Sequence, residues 1–465
     1  MIERALVLIL AAGTLSFGAV YPWGYWPLAG LTALAGVWAL VTAAPSSGAT
    51  PSSSSLALPL AAVGGAIALQ TVPLPRPALL ALSPATDRFL TQYELGYGIQ
   101  PPAAQALTID VGSTLTALAL FGAFAIFLVG LSRQGTRVRV ERIVGGLAVF
   151  GLLLAFGAVV QRAAVPPDRT HLVYGFWAPI FKGDPFGPFI NRNHFAGWMI
   201  LTLSLTMGHA LAVLERSRRP RDGGPASWLR WLATPEASHF AFVLFAVLAM
   251  ATSLALTRSR SGIVGLFVAM AVVTVVMARR ARRPRTRVLA AILGLVLASG
   301  AVVWAGTEAT VSRFSLASVD VSTRLSAWRD TWHMIEDFPW FGVGLGNYGT
   351  AMLVYQTAHR DTMFAQAHND YLQVLAEGGL LVAVPVAIAI VAMGIAIRRR
   401  LADPLEPATR RWLRIGAVAG LAGIAAQSIF EFSLQMPANA ALFAFTIAVA
   451  VHRGPAHESR HAHRV

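Results

Sequence analysis

The chain has 465 residues, 55% hydrophobic and only 13% charged, with a mean hydropathy of +0.60. A soluble domain carries roughly twice that charged fraction, so a soluble globular fold is excluded. The net charge of +15 comes almost wholly from arginine, and the absence of cysteine rules out disulfides and thiolate metal sites.

Apolar runs of about 20 residues recur along the whole length, and they do not alternate as barrel strands would. The expected fold class is therefore all-α: a polytopic transmembrane helical protein, one integral membrane unit over 1–465. Arg4 opens a run to Val20 that resembles a signal peptide, but Y-P-W-G-Y-W follows where a small-residue cleavage site would stand, so this run is read as a retained span. Twelve spans are expected, at about 3–20, 26–44, 56–72, 112–131, 143–162, 194–214, 238–257, 262–278, 288–306, 374–397, 413–430 and 437–452.

An even number of spans returns both termini to one side. The loops and tails of that side, with the adjoining Arg414, hold 25 of the 37 basic residues, although loop 45–55 has none. The positive-inside rule places that side in the cytoplasm. The basic clusters thus read as orientation signals between spans, and no nucleic-acid partner is expected. The opposite side carries the long segments 73–111, 163–193 and 307–373, lengths that suit functional loops.

The first of these is rich in proline and is expected to form an amphipathic cap. In the third, Trp328 and Trp332 recur at helical spacing after Ser322 or Thr323, either of which would cap a helix. Asp337-Phe338-Pro339 would end that helix. Gly342 to Asn347 (G-V-G-L-G-N) then makes an irregular turn, and a second helix is expected to start near Ala367 and re-enter the membrane.

Residues able to carry chemistry gather on this outward side. His368 stands where the loop re-enters the bilayer, and a neutral imidazole there can take a proton from a sugar hydroxyl. Asn369 and Asp370 would fix its tautomer or bind sugar hydroxyls; the alternative is a histidine that only caps a helix. Arg258 and Arg260, in T-R-S-R-S-G, oppose the charge rule at the membrane edge. Such arginines either hold a phosphate in a bidentate fork or snorkel to lipid headgroups. Arg324 and Arg329 lie on the first loop helix, where Asp330 and Glu336 offer ion-pair partners. Asn191, Arg192, Asn193 and His194 stand at the mouth of the sixth span near Lys182 and Asp184, as a polar vestibule or a helix cap.

Other signatures are missing. There is no D-x-D pair, P-loop or G-x-S-x-G motif, and no ligand spacing for a metal. The G-V-G-L-G run follows no strand, so it does not bind a dinucleotide, and no cofactor is expected. The tail H-E-S-R-H-A-H reads as solvated.

Taken together, S-T-R-L-S-A-W-R (322–329), P-W-F-G-V-G-L-G-N-Y (339–348) and A-H-N-D-Y-L-Q-V-L-A-E-G-G (367–379) resemble the signature of the O-antigen ligase and polymerase superfamily. T-R-S-R-S-G-I-V-G (257–265) and P-F-I-N-R-N-H-F-A-G (188–197) also look like its motifs, so the resemblance covers about 185–385. It implies a membrane glycosyltransferase acting on the periplasmic face of the bacterial inner membrane without metal and with inversion. The donor would be a glycan on undecaprenyl pyrophosphate. The acceptor would be lipid A–core for a ligase, the expected reading, or a second lipid-linked glycan for a polymerase. By resemblance, His368 is the base of a catalytic loop at 307–373, and Arg324 with Arg258 or Arg260 holds the pyrophosphate. Asn369, Asn191, Arg192, Asn193, His194 and Arg329 are the remaining substrate-binding candidates. A polysaccharide transporter or flippase, with polar groups near the midplane and repeated halves, and a scaffold of an assembly complex are the readings from other classes.

Overall fold

The computed structural model describes residues 1–43, 56–134, 138–180, 183–216, 231, 233–280, 316–360 and 363–452. The expected span 288–306, Lys182 and the His-rich tail lie outside them. In chain order the helices are α1 (Ile2–Leu15), α2 (Pro22–Thr42), α3 (Ala57–Gln70), α4 (Arg76–Leu82), α5 (Pro84–Tyr93), α6 (Leu95–Ile99), α7 (Val111–Arg133) and α8 (Val140–Ala164). They continue with α9 (Arg192–Arg216), α10 (Pro235–Leu256), α11 (Arg260–Arg280), α12 (Leu316–Asp337), α13 (Tyr348–Tyr355), α14 (Asp370–Leu401), α15 (Ala408–Gln427) and α16 (Pro437–Val451). Every expected span within the described residues overlaps a helix, although the first of them, 3–20, is cut short where α1 ends at Leu15 and the chain turns left-handed at Phe17–Ala19. Seven of these helices, α2, α7, α8, α9, α10, α11 and α14, are long and apolar enough to cross a membrane. The protein is a polytopic helical membrane protein.

The bundle is built around α9, which is buried on nearly all sides. Its neighbours α15 and α11 approach closely because small residues face each other: a Cβ on Gly416 would meet the Ser204 carbonyl at 2.4 Å, and one on Gly208 the Trp412 carbonyl at 2.5 Å. Close backbone approach of this kind supplies helix association where lipid removes the hydrophobic drive.

Ion pairs mark one end of the bundle. Arg216 pairs with Glu141 at 3.0 Å, the Arg139 amide donates to Glu3, and Arg414 donates to the His452 carbonyl at 3.0 Å. Met1 and His452 therefore share this end, and α9 runs from it to the opposite end, where it starts at Arg192.

At that opposite end lies a second apolar core, with Tyr97, Met334, Phe338, Tyr348 and Phe364 buried together. The proline-rich segment forms its lid from α4, α5, α6 and a two-residue ribbon, β1 (Leu74–Pro75) antiparallel to β2 (Ala104–Gln105). Asp87 fastens the lid: it accepts from the Tyr97 hydroxyl at 2.6 Å and from Arg76 Nε at 3.1 Å. Burial alone would raise the Asp87 carboxyl, but these two donors hold it below the ordinary aspartate value.

One expectation on segment 307–373 is corrected, and the start of its second helix, expected near Ala367, is placed three residues on. Its first helix starts at Leu316, so Ser322 and Thr323 are internal residues and not caps. The second begins at Asp370, because Asn369 accepts from the Tyr371 and Leu372 amides at 3.0 and 3.1 Å and is the cap. The G-V-G-L-G-N turn locks onto α14. Gly344 has φ +100°, and a Cβ there would lie 1.8 Å from Thr108 Oγ1, so no other residue fits. Gly344 N and Gln70 Nε2 both donate to the Glu377 carbonyl at 2.9 Å. Asn347 Nδ2 donates to Thr108 Oγ1 at 2.8 Å, and the Tyr348 amide donates to Glu377 Oε1 at 3.1 Å. At Gly379 (φ 54°, ψ −163°) α14 bends, so that Leu380 N and Leu381 N reach the Pro339 and Trp340 carbonyls, each at 2.9 Å.

Candidate active site

The ends of α9, α11, α14, α15 and α16 away from Met1 and His452 converge, and the segment Ser428–Met436 between α15 and α16 threads among them. Gln427 Nε2 donates to the Asn193 carbonyl at 2.8 Å, Asn439 Nδ2 to the His194 carbonyl at 3.0 Å, and the Asp370 amide to the Ser428 carbonyl at 3.0 Å. This segment delivers Glu431, whose side chain is fully buried.

Glu431 collects the site. Arg324 Nη2 donates to its Oε1 at 2.6 Å, and Asn193 Nδ2 donates to the same oxygen at 2.5 Å. His368 Nδ1 stands 3.6 Å from Oε2, an ion-pair distance beyond a direct hydrogen bond. Arg324 Nη1 also donates to the Phe430 carbonyl at 3.0 Å, so its guanidinium is fixed in plane. Phe432 fills the space between His368 and His194, edge-on to both, with ring centroids 4.8 and 4.6 Å away. Burial would raise the Glu431 carboxyl; the contact with His368 and the charges of Arg324, His368 and His194 outweigh it and hold it below the ordinary glutamate value. Glu431 is therefore an anion in a dry setting, facing two cation-forming side chains.

His368 is partly buried, with 27% of its side chain exposed, and its backbone is left-handed at φ 50°. That conformation costs a non-glycine residue about 1–2 kcal/mol. It is held on both sides: Trp328 Nε1 donates to the Ala367 carbonyl at 2.9 Å, the Ala367 amide donates to Gln373 Oε1 at 3.1 Å, and Asp370 is tied to Ser428 by its amide and by Ser428 Oγ at 2.7 Å. The result aims the imidazole away from the start of α14 and toward Glu431.

The other candidate residues divide. Asn193 and His194 are in the site, and Asn191 caps α9 through the Asn193 amide at 2.8 Å. Arg192 turns away and pairs with Asp184 at 2.9 Å, with Arg162 at 3.6 Å from the same carboxylate. Asn369 spends its carbonyl oxygen on capping α14. Asp370 bonds to Ser428 and does not orient His368; the carboxylate that faces His368 is Glu431. Asp330 accepts from Thr357, and Glu336 from His333, so neither pairs with Arg324. Arg329 is exposed and in no ion pair among the described residues.

Arg258 and Arg260 flank a tight turn between α10 and α11. The Ser259 amide donates to Thr257 Oγ1 and the Gly262 amide to Ser259 Oγ, each at 3.1 Å, which buries both short side chains and turns Arg258 out, exposed and left-handed at φ 56°. Gly262 packs on Ala196 of α9, so Arg260 enters beside the first turn that carries Asn193 and His194.

Glu431 was absent from the sequence candidates. Its signal was present: a lone acid between Phe430 and Phe432, at the junction of two apolar spans, where a charge is costly and needs a partner.

No curated protein matches the chain. The family model described as O-antigen ligase matches residues 245–386, a stretch that takes in Arg258, Arg260, Arg324 and His368 and leaves out Asn191–His194 and Glu431. Over that stretch, set in a polytopic helical frame, the chain is similar to the O-antigen ligase family.

Proposed function

We propose that the protein moves a glycan from undecaprenyl pyrophosphate to an acceptor hydroxyl on lipid A–core, at the periplasmic face of the inner membrane, with both termini in the cytoplasm. The observation that supports this best is His368, held in a strained conformation beside a buried anion and an arginine, at the end of the bundle away from Met1 and His452.

The acceptor oxygen attacks the anomeric carbon from the face opposite the phosphate. The new carbon–oxygen bond forms as the bond from that carbon to the phosphate oxygen breaks, and the configuration inverts. The electron pair leaves with the pyrophosphate, and the hydroxyl proton passes to His368. Arg324, with Arg260 or Arg258, meets the charge that builds on the leaving group; planar donors suit this, and removing one donor of this kind costs about 100-fold or more. Base catalysis adds about 100- to 10,000-fold, and neither contribution calls for a metal. Asn193, His194 and the free amide end of Asn369 line the approach as sugar-hydroxyl partners. Arg192 and Arg329 serve the outer rim, where a second anionic group arrives. The polyprenyl tail stays in lipid while its pyrophosphate meets arginine at the membrane edge.

The test uses purified protein in lipid nanodiscs with a lipid-pyrophosphate glycan. Product that forms only when lipid A–core is added, is unchanged by chelator and disappears in His368→Ala is the expected result. A ladder of longer lipid-linked glycans from donor alone means a polymerase, and no transfer under either condition refutes the reading.

A further inference from the structure

We propose that Glu431 is a positioning residue that holds Arg324 in reserve and passes it to the donor, and that its carboxylate is thereby left to His368. The inference rests on the transfer reading above and specifies how donor binding arms the base.

In the described arrangement one carboxylate serves two cation-forming partners. Oε1 is taken by Arg324 at 2.6 Å and Asn193 at 2.5 Å, while Oε2 faces His368 at 3.6 Å; among the described residues neither Oε2 nor His368 Nδ1 has a hydrogen-bond partner. Two unsatisfied polar atoms that face each other just beyond bonding distance, both buried, are costly to keep. The pair is therefore poised to close by a few tenths of an ångström once the carboxylate is free to turn. Arg324 restrains it from the other oxygen.

A pyrophosphate competes for that guanidinium. It carries more charge than a carboxylate and accepts the same bidentate fork. When Arg324 turns to it, the Glu431 anion keeps Asn193 and gains His368. Among the described residues, the charged groups around this exchange are Arg324 on α12, His194 on α9, His368 and Asp370 at the start of α14, and Glu431 itself. His194 is separated from His368 by Phe432, so it does not compete for Oε2 directly. The base is oriented only when donor is present, which protects a lipid-facing site from idle chemistry.

Glu431→Gln tests this, because the amide keeps the shape and the Asn193 contact region but not the charge. A neutral acceptor holds Arg324 about half as strongly. Binding of undecaprenyl pyrophosphate, measured on the full chain in nanodiscs, should tighten about fivefold, while kcat should fall by about 10-fold or more. The tightening should vanish in the Arg324→Gln background, which makes a double-mutant cycle. A purely structural role for Glu431 would weaken binding and kcat together, and that result overturns the proposal, as does tightening that persists without Arg324. Where the Gln variant fails to fold, Glu431→Asp, drawn back by one methylene, should show the same two directions in smaller amount. If wild-type protein does not bind the lipid pyrophosphate at all, the transfer reading itself fails, which is a different outcome from wild-type binding that Glu431→Gln does not tighten.

Discussion

Gln373→Ala probes how the loop holds its histidine without touching the charged groups. Gln373 is buried, accepts from the Ala367 amide at 3.1 Å and donates to Glu377 Oε1 at 3.3 Å. Truncation leaves the amide of Ala367, itself fully buried, without an acceptor, a loss of about 1–3 kcal/mol. The strain at His368 is of similar size, about 1–2 kcal/mol, so the remaining ties through Trp328 and Ser428 no longer dominate it. The backbone should relax and the imidazole shift by about 1 Å, a misplacement that costs on the order of 100-fold in rate. We expect kcat to fall about 10- to 100-fold. Donor affinity should stay unchanged, since Arg324, Glu431 and Asn193 keep their contacts. The assay pairs steady-state transfer with direct donor binding in the same nanodiscs. Turnover within about twofold of wild type would refute the idea that this glutamine holds the strained turn, as would parallel losses of binding and rate.

Two further predictions concern the frame. The depressed Asp87 carboxyl adds stability to the lid that is fully present above the ordinary aspartate value of 3.8 and is lost as pH falls through the lower folded value; limited proteolysis of 76–105 should stay slow down to about pH 4 and speed up below it, whereas Asp87→Asn should be cut quickly at neutral pH, and equal protection of the two proteins would disprove the clamp. The chain has no cysteine, so single cysteines report topology cleanly: Met363→Cys should react with an impermeant thiol reagent in intact spheroplasts and Leu405→Cys should not, both positions being exposed, and the reverse pattern would overturn the assigned faces.

The membrane frame was legible because it depends on composition over long windows. Runs of apolar residues announce helices whatever packs against them, and every such run within the described residues became one. Ends were harder, because a cap is a single hydrogen bond. Asn369 caps α14, and the run that begins at Ala367 does not show that the left-handed turn at His368 delays the helix until after it. Ser322 and Thr323 look like caps, but the helix runs through them because the chain before them is already helical. The glycine turn read as irregular, and its reason lies in partners far along the chain: Thr108 fills the space that a side chain at Gly344 would need, and Gln70 Oε1 accepts from the Leu345 amide at 3.2 Å.

The site itself was half visible, and the missing half has a physical explanation. Motif reading finds residues close together in sequence, and His368, Arg324 and the T-R-S-R-S-G turn lie in such clusters. Glu431 is 63 residues from His368 on a different pair of helices, so no local pattern joins them; what joins them is charge balance at one end of the bundle. An arginine such as Arg324, with 20% of its side chain exposed beside apolar helices, needs an anion, and two acids of its own helix, Asp330 and Glu336, face Thr357 and His333. The question that finds Glu431 from sequence is therefore which acid near a span end has no basic neighbour of its own. Between Gln427 and Pro437 there is one acid and no base. An unmatched negative charge at one span junction and an excess of arginine on the adjoining loop predict each other, and their meeting beside His368 is what makes this end of the bundle a site and not merely a polar rim.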